Sequence, residues 1–202
     1  MEAEKKLRGA IYHLQRMEEA YLKNEENFIY ELEAFLVKVI SVPDVLLEDF
    51  NEKLSLGISL EEKLYPETFE ERARELQNAQ AMSFIQWWRS KMEQIRSDKL
   101  GSIFFGKRNI SVHRKVVRPD LKITLYETIR ITDSINIRKY DEKGNLIEDV
   151  KSLEIPPALE EPKPSEIEWC FSEYPDENVL EACKKILQTV KRFVEEAKSR
   201  FN

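Results

Sequence analysis

Apolar residues recur every three to four positions along most of the chain, a spacing that predicts amphipathic α-helices. Six helices are predicted, over residues 3–23, about 25–41, about 44–54, 68 to about 96, 97 to about 114, and about 176–200. We expect Pro43 to interrupt the second helix, because proline has no N–H group and clashes with the preceding turn. Thr68 and Glu71 form a capping box at the start of the longest helix, and Ser97 with Asp98 is a strong start signal for the next.

After residue 120 the apolar period changes from 3.6 to 2, which indicates β-strands. Three short strands are expected, over residues 121–129, 135–140 and 146–150, and a turn containing Gly144 joins the last two. Four prolines in 155–165 predict an extended linker, and 167–172 adds one more strand.

These elements predict a mainly α fold, an up-down helical bundle with a small antiparallel β-meander inserted before the last helix. We expect a single domain over 1–202. The bundle takes 3–118 together with 166–201, and the β insertion and proline-rich linker take about 119–165. The apolar face of the last helix is too wide for a coiled-coil seam and is typical of a helix packed in a bundle.

Composition excludes several classes of protein. No run of about 18 uncharged apolar residues occurs, so we expect no membrane span, and the charged N-terminus lacks the apolar core of a signal peptide. Cys170 and Cys183 are expected as reduced thiols of a cytoplasmic protein. The net charge of −6 argues against non-specific nucleic-acid binding over the whole surface.

One stretch departs from this acidity. Residues 99–118 contain six lysines and arginines and no aspartate or glutamate, and they include Arg108, Asn109 and His113. An imidazole exchanges protons near neutral pH, a guanidinium holds a phosphate and stabilises developing charge, and an amide orients both or bonds a ribose. The other cations would supply phosphate contacts, namely Lys107, Arg114, Lys115 and Arg118.

The spacing within this set restricts how it works. Arg108 and His113 are five residues apart, so on a regular helix they point about 140° from each other. They converge only if the helix bends near His113, or if each contributes to a site shared with another chain. Asn109 and His113, four residues apart, share one face.

The pattern Arg-Asn-x-x-x-His at 108–113, with Ser-Asp-x-Leu at the start of its helix and a last amphipathic helix, resembles the HEPN superfamily. Those proteins are small helical bundles with an Arg-x(4–6)-His motif, and the family includes metal-independent endoribonucleases of toxin–antitoxin, CRISPR and phage-defence systems as well as inactive scaffold proteins. The resemblance covers roughly 3–118 and 166–201 and leaves the β segment unexplained.

By this resemblance, Arg108 and His113 would be the catalytic pair and Asn109 the supporting polar residue. The ribose 2′-OH would attack the adjacent phosphate and leave a 2′,3′-cyclic end, with no metal or cofactor. The resemblance further implies a homodimer in which two motifs meet, RNA as the substrate, and an antitoxin-type protein as a partner.

A second match to the bare motif, Arg8 to His13, lies on the first helix among acidic residues and has glycine after the arginine. Because the bare motif occurs readily by chance, Asn109 and the surrounding cations distinguish the match at 108–113. We interpret His13 as structural or solvated.

Two alternatives remain open. The chain could be a non-catalytic binding or scaffold module, in which the basic stretch pairs with a protein partner, a nucleotide or the acidic body of the protein itself. A metal-dependent enzyme is the other alternative, but the acidic pairs at 61–62, 70–71 and 160–161 have no histidine nearby and are typical of solvated surface.

Overall fold

The computed structural model describes residues 1–59, 64–113, 117, 119–124, 135–140, 146–153 and 166–201; for 108–113, 123–124, 135–140, 146–153 and 166 it describes the backbone alone. This part of the chain is mainly helical. Its helices are α1 (Glu2–Ala20), α2 (Glu25–Lys53), α3 (Pro66–Glu75), α4 (Ala79–Ser97), α5 (Lys99–His113) and α6 (Val179–Phe201). Its strands are β1 (Asp120–Thr124), β2 (Ile135–Tyr140), β3 (Leu146–Leu153), β4 (Glu166–Phe171) and β5 (Tyr174–Asn178).

The chain divides into two compact units, one of Met1–Lys122 with Glu168–Asn202 and one of Ile123–Ile167. The first unit holds the six helices. The second contains the antiparallel β2–β3 hairpin, in which Ile137 pairs with Val150 and Lys139 with Glu148.

Pro43 does not interrupt the second helix, so that prediction is wrong. Helix α2 runs through it without a break, and Pro43 itself is buried. Apolar residues on both sides of the proline, such as Val39 and Leu46, enter the same core and are fully buried. This packing offsets the roughly 3 kcal/mol that a proline costs inside a helix. The indole N–H of Trp88 also donates to the Pro43 carbonyl at 3.1 Å.

The longest predicted helix is in fact two helices. Helix α3 begins at Pro66, before the predicted capping box, and it ends at Glu75. Gln77 takes a left-handed conformation, with φ of 52°. The side chain of Asn78 then caps α4 by accepting a hydrogen bond from the N–H group of Ala81 at 2.9 Å.

The strands also differ from a meander. β1 neighbours β4 in a three-stranded sheet of order β1-β4-β5, and β2 pairs with β3 in a separate sheet. β4 and β5 are antiparallel, with Cys170 opposite Asn178. β5 occupies the residues where we expected the last helix to begin, and α6 starts at Val179 with Asn178 accepting from the N–H group of Glu181. The 155–165 linker and residues 125–129 lie outside the described residues.

The core of the helical unit is centred on stacked aromatic rings. Phe84 of α4 lies on Phe50 of α2 at a centroid distance of 4.0 Å, and the ring of Phe201 at the end of α6 meets both edge-on. Trp87 stacks on Phe193 of α6 at 5.0 Å and is itself buried, so it packs in the core. In the described part of the chain, no helix combines the length and apolar character that crossing a membrane requires.

Candidate functional site

The basic stretch begins at the corner between α4 and α5. Asp98 separates the two helices, and its Oδ2 atom accepts hydrogen bonds from the N–H groups of Leu100 and Gly101 at 3.0 and 3.2 Å. The predicted helix start is therefore confirmed. A Cβ atom at Gly101 would lie 1.8 Å from the carbonyl oxygen of Ile95, so this close approach of backbones requires glycine.

The three motif residues all lie on α5, within its last two turns, and His113 is its final residue. Position 108 follows the buried Gly101 by seven residues, and position 113 follows the exposed Gly106 by seven. Residues at this spacing lie along one side of a helix. The helix therefore places positions 108 and 113 of one chain on different sides.

Lys107 is held inside the protein. It is 9% exposed, and its ammonium lies 2.9 and 2.8 Å from the two carboxylate oxygens of Glu173 in the β4–β5 turn. The ring of Phe171 lies below it, with its centroid 5.0 Å from Nζ. The hydrogen bond from Lys107 lowers the pKa of the Glu173 carboxyl. A phosphate contact at Lys107 therefore requires Glu173 to give way.

The other predicted phosphate-binding residues are Arg114, Lys115 and Arg118, and they lie outside the described residues. Between them, Val117 is 3% exposed, and its N–H group donates to Oε1 of Glu33 on α2 at 3.1 Å. The backbone that follows α5 is thus bonded to α2.

The second match to the motif is tied into the helical unit. Nδ1 of His13 lies 2.7 Å from Oε2 of Glu31, so the imidazole links α1 to α2. The rings of Tyr12 and His13 make an edge-to-face contact, with their centroids 5.3 Å apart. These contacts give His13 a structural partner.

Two other kinds of chemistry find little support among the described residues. No group of three or more histidine, cysteine, aspartate or glutamate side chains there could hold a metal ion. Cys170 and Cys183 are free and buried, and burial raises the pKa of both thiols, which disfavours the nucleophilic thiolate.

Sequence reasoning missed two features of this region. Glu173 lies 66 residues from Lys107 in the chain, and no local pattern indicates their pairing. A groove between α4 and α6 also escaped notice, although Lys185 and Arg192 stand seven residues apart and so share one face of α6. This seven-residue spacing was the one sequence signal that two cations lie on the same side of α6.

Comparison with protein-family models, with curated proteins and with solved structures finds no match to this chain.

Proposed function

We propose that the protein is a metal-independent endoribonuclease whose active site is built from Arg108, Asn109 and His113 of two copies of the chain. The observation that carries the proposal is that these residues lie on one continuous helix, as the resemblance to the HEPN superfamily requires. Helix α5 also packs against α2, α4 and α6, the setting expected of a motif helix in a bundle.

The chemistry follows from the residue types. The imidazole of His113 accepts the proton of a ribose 2′-hydroxyl, and the 2′-oxygen attacks the adjacent phosphorus. The imidazolium of His113 then gives that proton to the 5′-oxygen of the next nucleotide as the P–O5′ bond breaks, and a 2′,3′-cyclic phosphate remains. The guanidinium of Arg108 holds the phosphate and stabilises the charge that develops on it, while Asn109 orients the ribose.

The proposal includes a homodimer because of the helix geometry. Positions five apart on a regular helix diverge by about 140°. Two copies of α5 that meet across a two-fold axis would bring Arg108 of one chain to His113 of the other. By the resemblance, such an enzyme would serve as a toxin or defence protein, and an antitoxin-type protein would be its second partner.

The test is an RNA digestion by the wild-type protein in excess EDTA. We expect cleavage of a mixed RNA pool without added metal, with 2′,3′-cyclic phosphates at the new 3′ ends. Products with 3′-hydroxyl ends, or cleavage that requires a divalent cation, would contradict the mechanism. A pure, dimeric protein that cleaves no RNA in the pool would contradict the activity itself.

A second candidate is a binding or scaffold module without catalytic activity. The pairing of Lys107 with Glu173 favours it, because part of the basic stretch is neutralised by an acidic residue of the protein itself. RNA binding by the wild type with no cleavage in the same digestion would support this module over the enzyme.

A further inference from the structure

A groove of about 460 Å³ lies between the C-terminal half of α4 and the face of α6. Its volume falls in the range of roughly 300–1,000 Å³ that is typical of small-molecule sites. The apolar side chains that line it are Ile95, Leu100, Ile186 and Phe193. Leu100 is on the first turn of α5, about 20 Å along the helix from His113, so the groove is distinct from the proposed active site.

The carboxylates on the rim of the groove are already engaged. Glu196 lies 2.6 Å from the ammonium of Lys91. Asp98 accepts two backbone hydrogen bonds at the start of α5. Both acidic groups on the rim therefore have partners within the protein.

One cation on the rim lacks an acidic partner within the described part of the chain. Arg192 is exposed and has no carboxylate partner among the residues that the structure describes. Lys185 stands two turns earlier on the same face of α6, about 10 Å away along the axis, and pairs with Glu177 at 2.5 Å. The planar guanidinium group can bind a phosphate through two parallel hydrogen bonds, and that of Arg192, with no described carboxylate paired to it, is free to do so.

An aromatic ring lines the same groove. Tyr174 of β5 lines it, and the ammonium of Lys99 lies 4.9 Å from the centroid of that ring. Lys99, like Arg192, has no carboxylate partner within the described residues. Gln94 and Thr189 also line the groove, and their polar side chains could meet the edge of a planar ligand.

We propose that this groove binds a nucleotide, with the phosphate at Arg192 and the base on the apolar floor beside Tyr174. A nucleotide presents one anionic group and one flat ring with hydrogen-bonding edges, which matches a single free guanidinium beside an apolar floor. An acidic peptide would bring several carboxylates close to Glu196 and Asp98, so the groove favours the nucleotide. The same chemistry fits a free mononucleotide and one nucleotide of a single-stranded RNA.

Titration calorimetry with adenosine 5′-monophosphate and with hexauridylate tests this site, the hexauridylate carrying 2′-O-methyl groups so that the proposed nuclease cannot cleave it. We expect the wild type to bind at least one of them, more weakly as salt rises. Arg192→Gln should weaken binding roughly tenfold. The matched control is Lys191→Gln, the neighbouring exposed cation, which lines a different groove of α6 and should leave affinity unchanged.

The outcomes separate the sources of the ligand and the two proposals. Tighter binding of the mononucleotide assigns the groove to a free nucleotide, and tighter binding of hexauridylate assigns it to an RNA strand. His113→Ala should retain the part of the affinity that Arg192→Gln removes. The nucleotide-binding proposal can therefore hold even if the protein proves to cleave no RNA. The proposal is overturned if neither nucleotide binds, if both glutamine variants weaken binding equally, or if inorganic phosphate or an acidic peptide binds as tightly.

Discussion

Replacing His113 with alanine is expected to lower the rate of RNA cleavage at least about 100-fold, because proton transfer by a positioned imidazole typically contributes 100- to 10,000-fold. RNA binding should change little, since alanine removes no cation from the basic stretch. The measurement pairs initial cleavage rates in EDTA with the affinity for a substrate in which the reactive ribose is 2′-deoxy.

His13→Ala is the matched control for this variant, because it removes the other histidine of the chain. His13 links α1 to α2 through Glu31, so its loss should reduce stability modestly and leave the cleavage rate of the folded protein intact. Equal rates for wild type and His113→Ala, or an equal loss in both variants, would exclude His113 as the acid or base.

Replacing Phe84 with alanine is expected to reduce the free energy of unfolding by roughly 3–5 kcal/mol, as large-to-small changes at buried phenylalanines do. Phe84 is fully buried and stacks on Phe50, and its ring also lies 5.5 Å from Phe69 and 5.4 Å from Phe201. The cavity would therefore open where four helices meet. Urea unfolding followed by far-ultraviolet circular dichroism measures the change.

Phe105→Ala is the control for that experiment. Phe105 is only half-buried on α5, with the guanidinium of Arg96 5.2 Å from its ring centroid. Its loss should cost about 1 kcal/mol, the common size of a substitution that opens no core cavity. Similar losses in the two variants would contradict the placement of the core around Phe84.

The helices could be predicted where apolar period and capping signals agreed. The start of helix α5 rests on capping alone, since Asp98 before it is a local signal that the structure confirms. The break between α3 and α4 could not be read from the apolar period, which continues across it. Asn78 carried the missing signal, because asparagine is among the strongest N-cap residues.

Two other differences arise from tertiary packing. Proline usually breaks a helix, because it lacks an N–H group and clashes with the preceding turn. Helix α2 continues through Pro43 because apolar residues on both sides of it are buried in the core. The partner of β1 is equally non-local. Strands near in sequence are usual neighbours, yet β1 pairs with β4, more than 40 residues further along the chain.

The candidate site divides in the same way. The position of Arg108, Asn109 and His113 on a helix followed from the sequence. The ion pair between Lys107 and Glu173 could not be predicted from the sequence, because it depends on where the β4–β5 turn meets α5. The groove beside Arg192 depends on how α4 and α6 pack, which the apolar pattern of neither helix specifies.

A mixing experiment tests the proposed two-chain active site most directly. Arg108→Ala and His113→Ala, each inactive alone, are mixed and allowed to exchange subunits in EDTA. A mixed dimer then holds one intact Arg108–His113 pair across its interface, and we expect about a quarter of the wild-type cleavage rate from random exchange. The control mixes His113→Ala with the double variant, which restores no pair and should stay inactive. Recovery of activity in the first mixture alone is the predicted result; no recovery, with mixed dimers present by native mass spectrometry, would contradict the composite site.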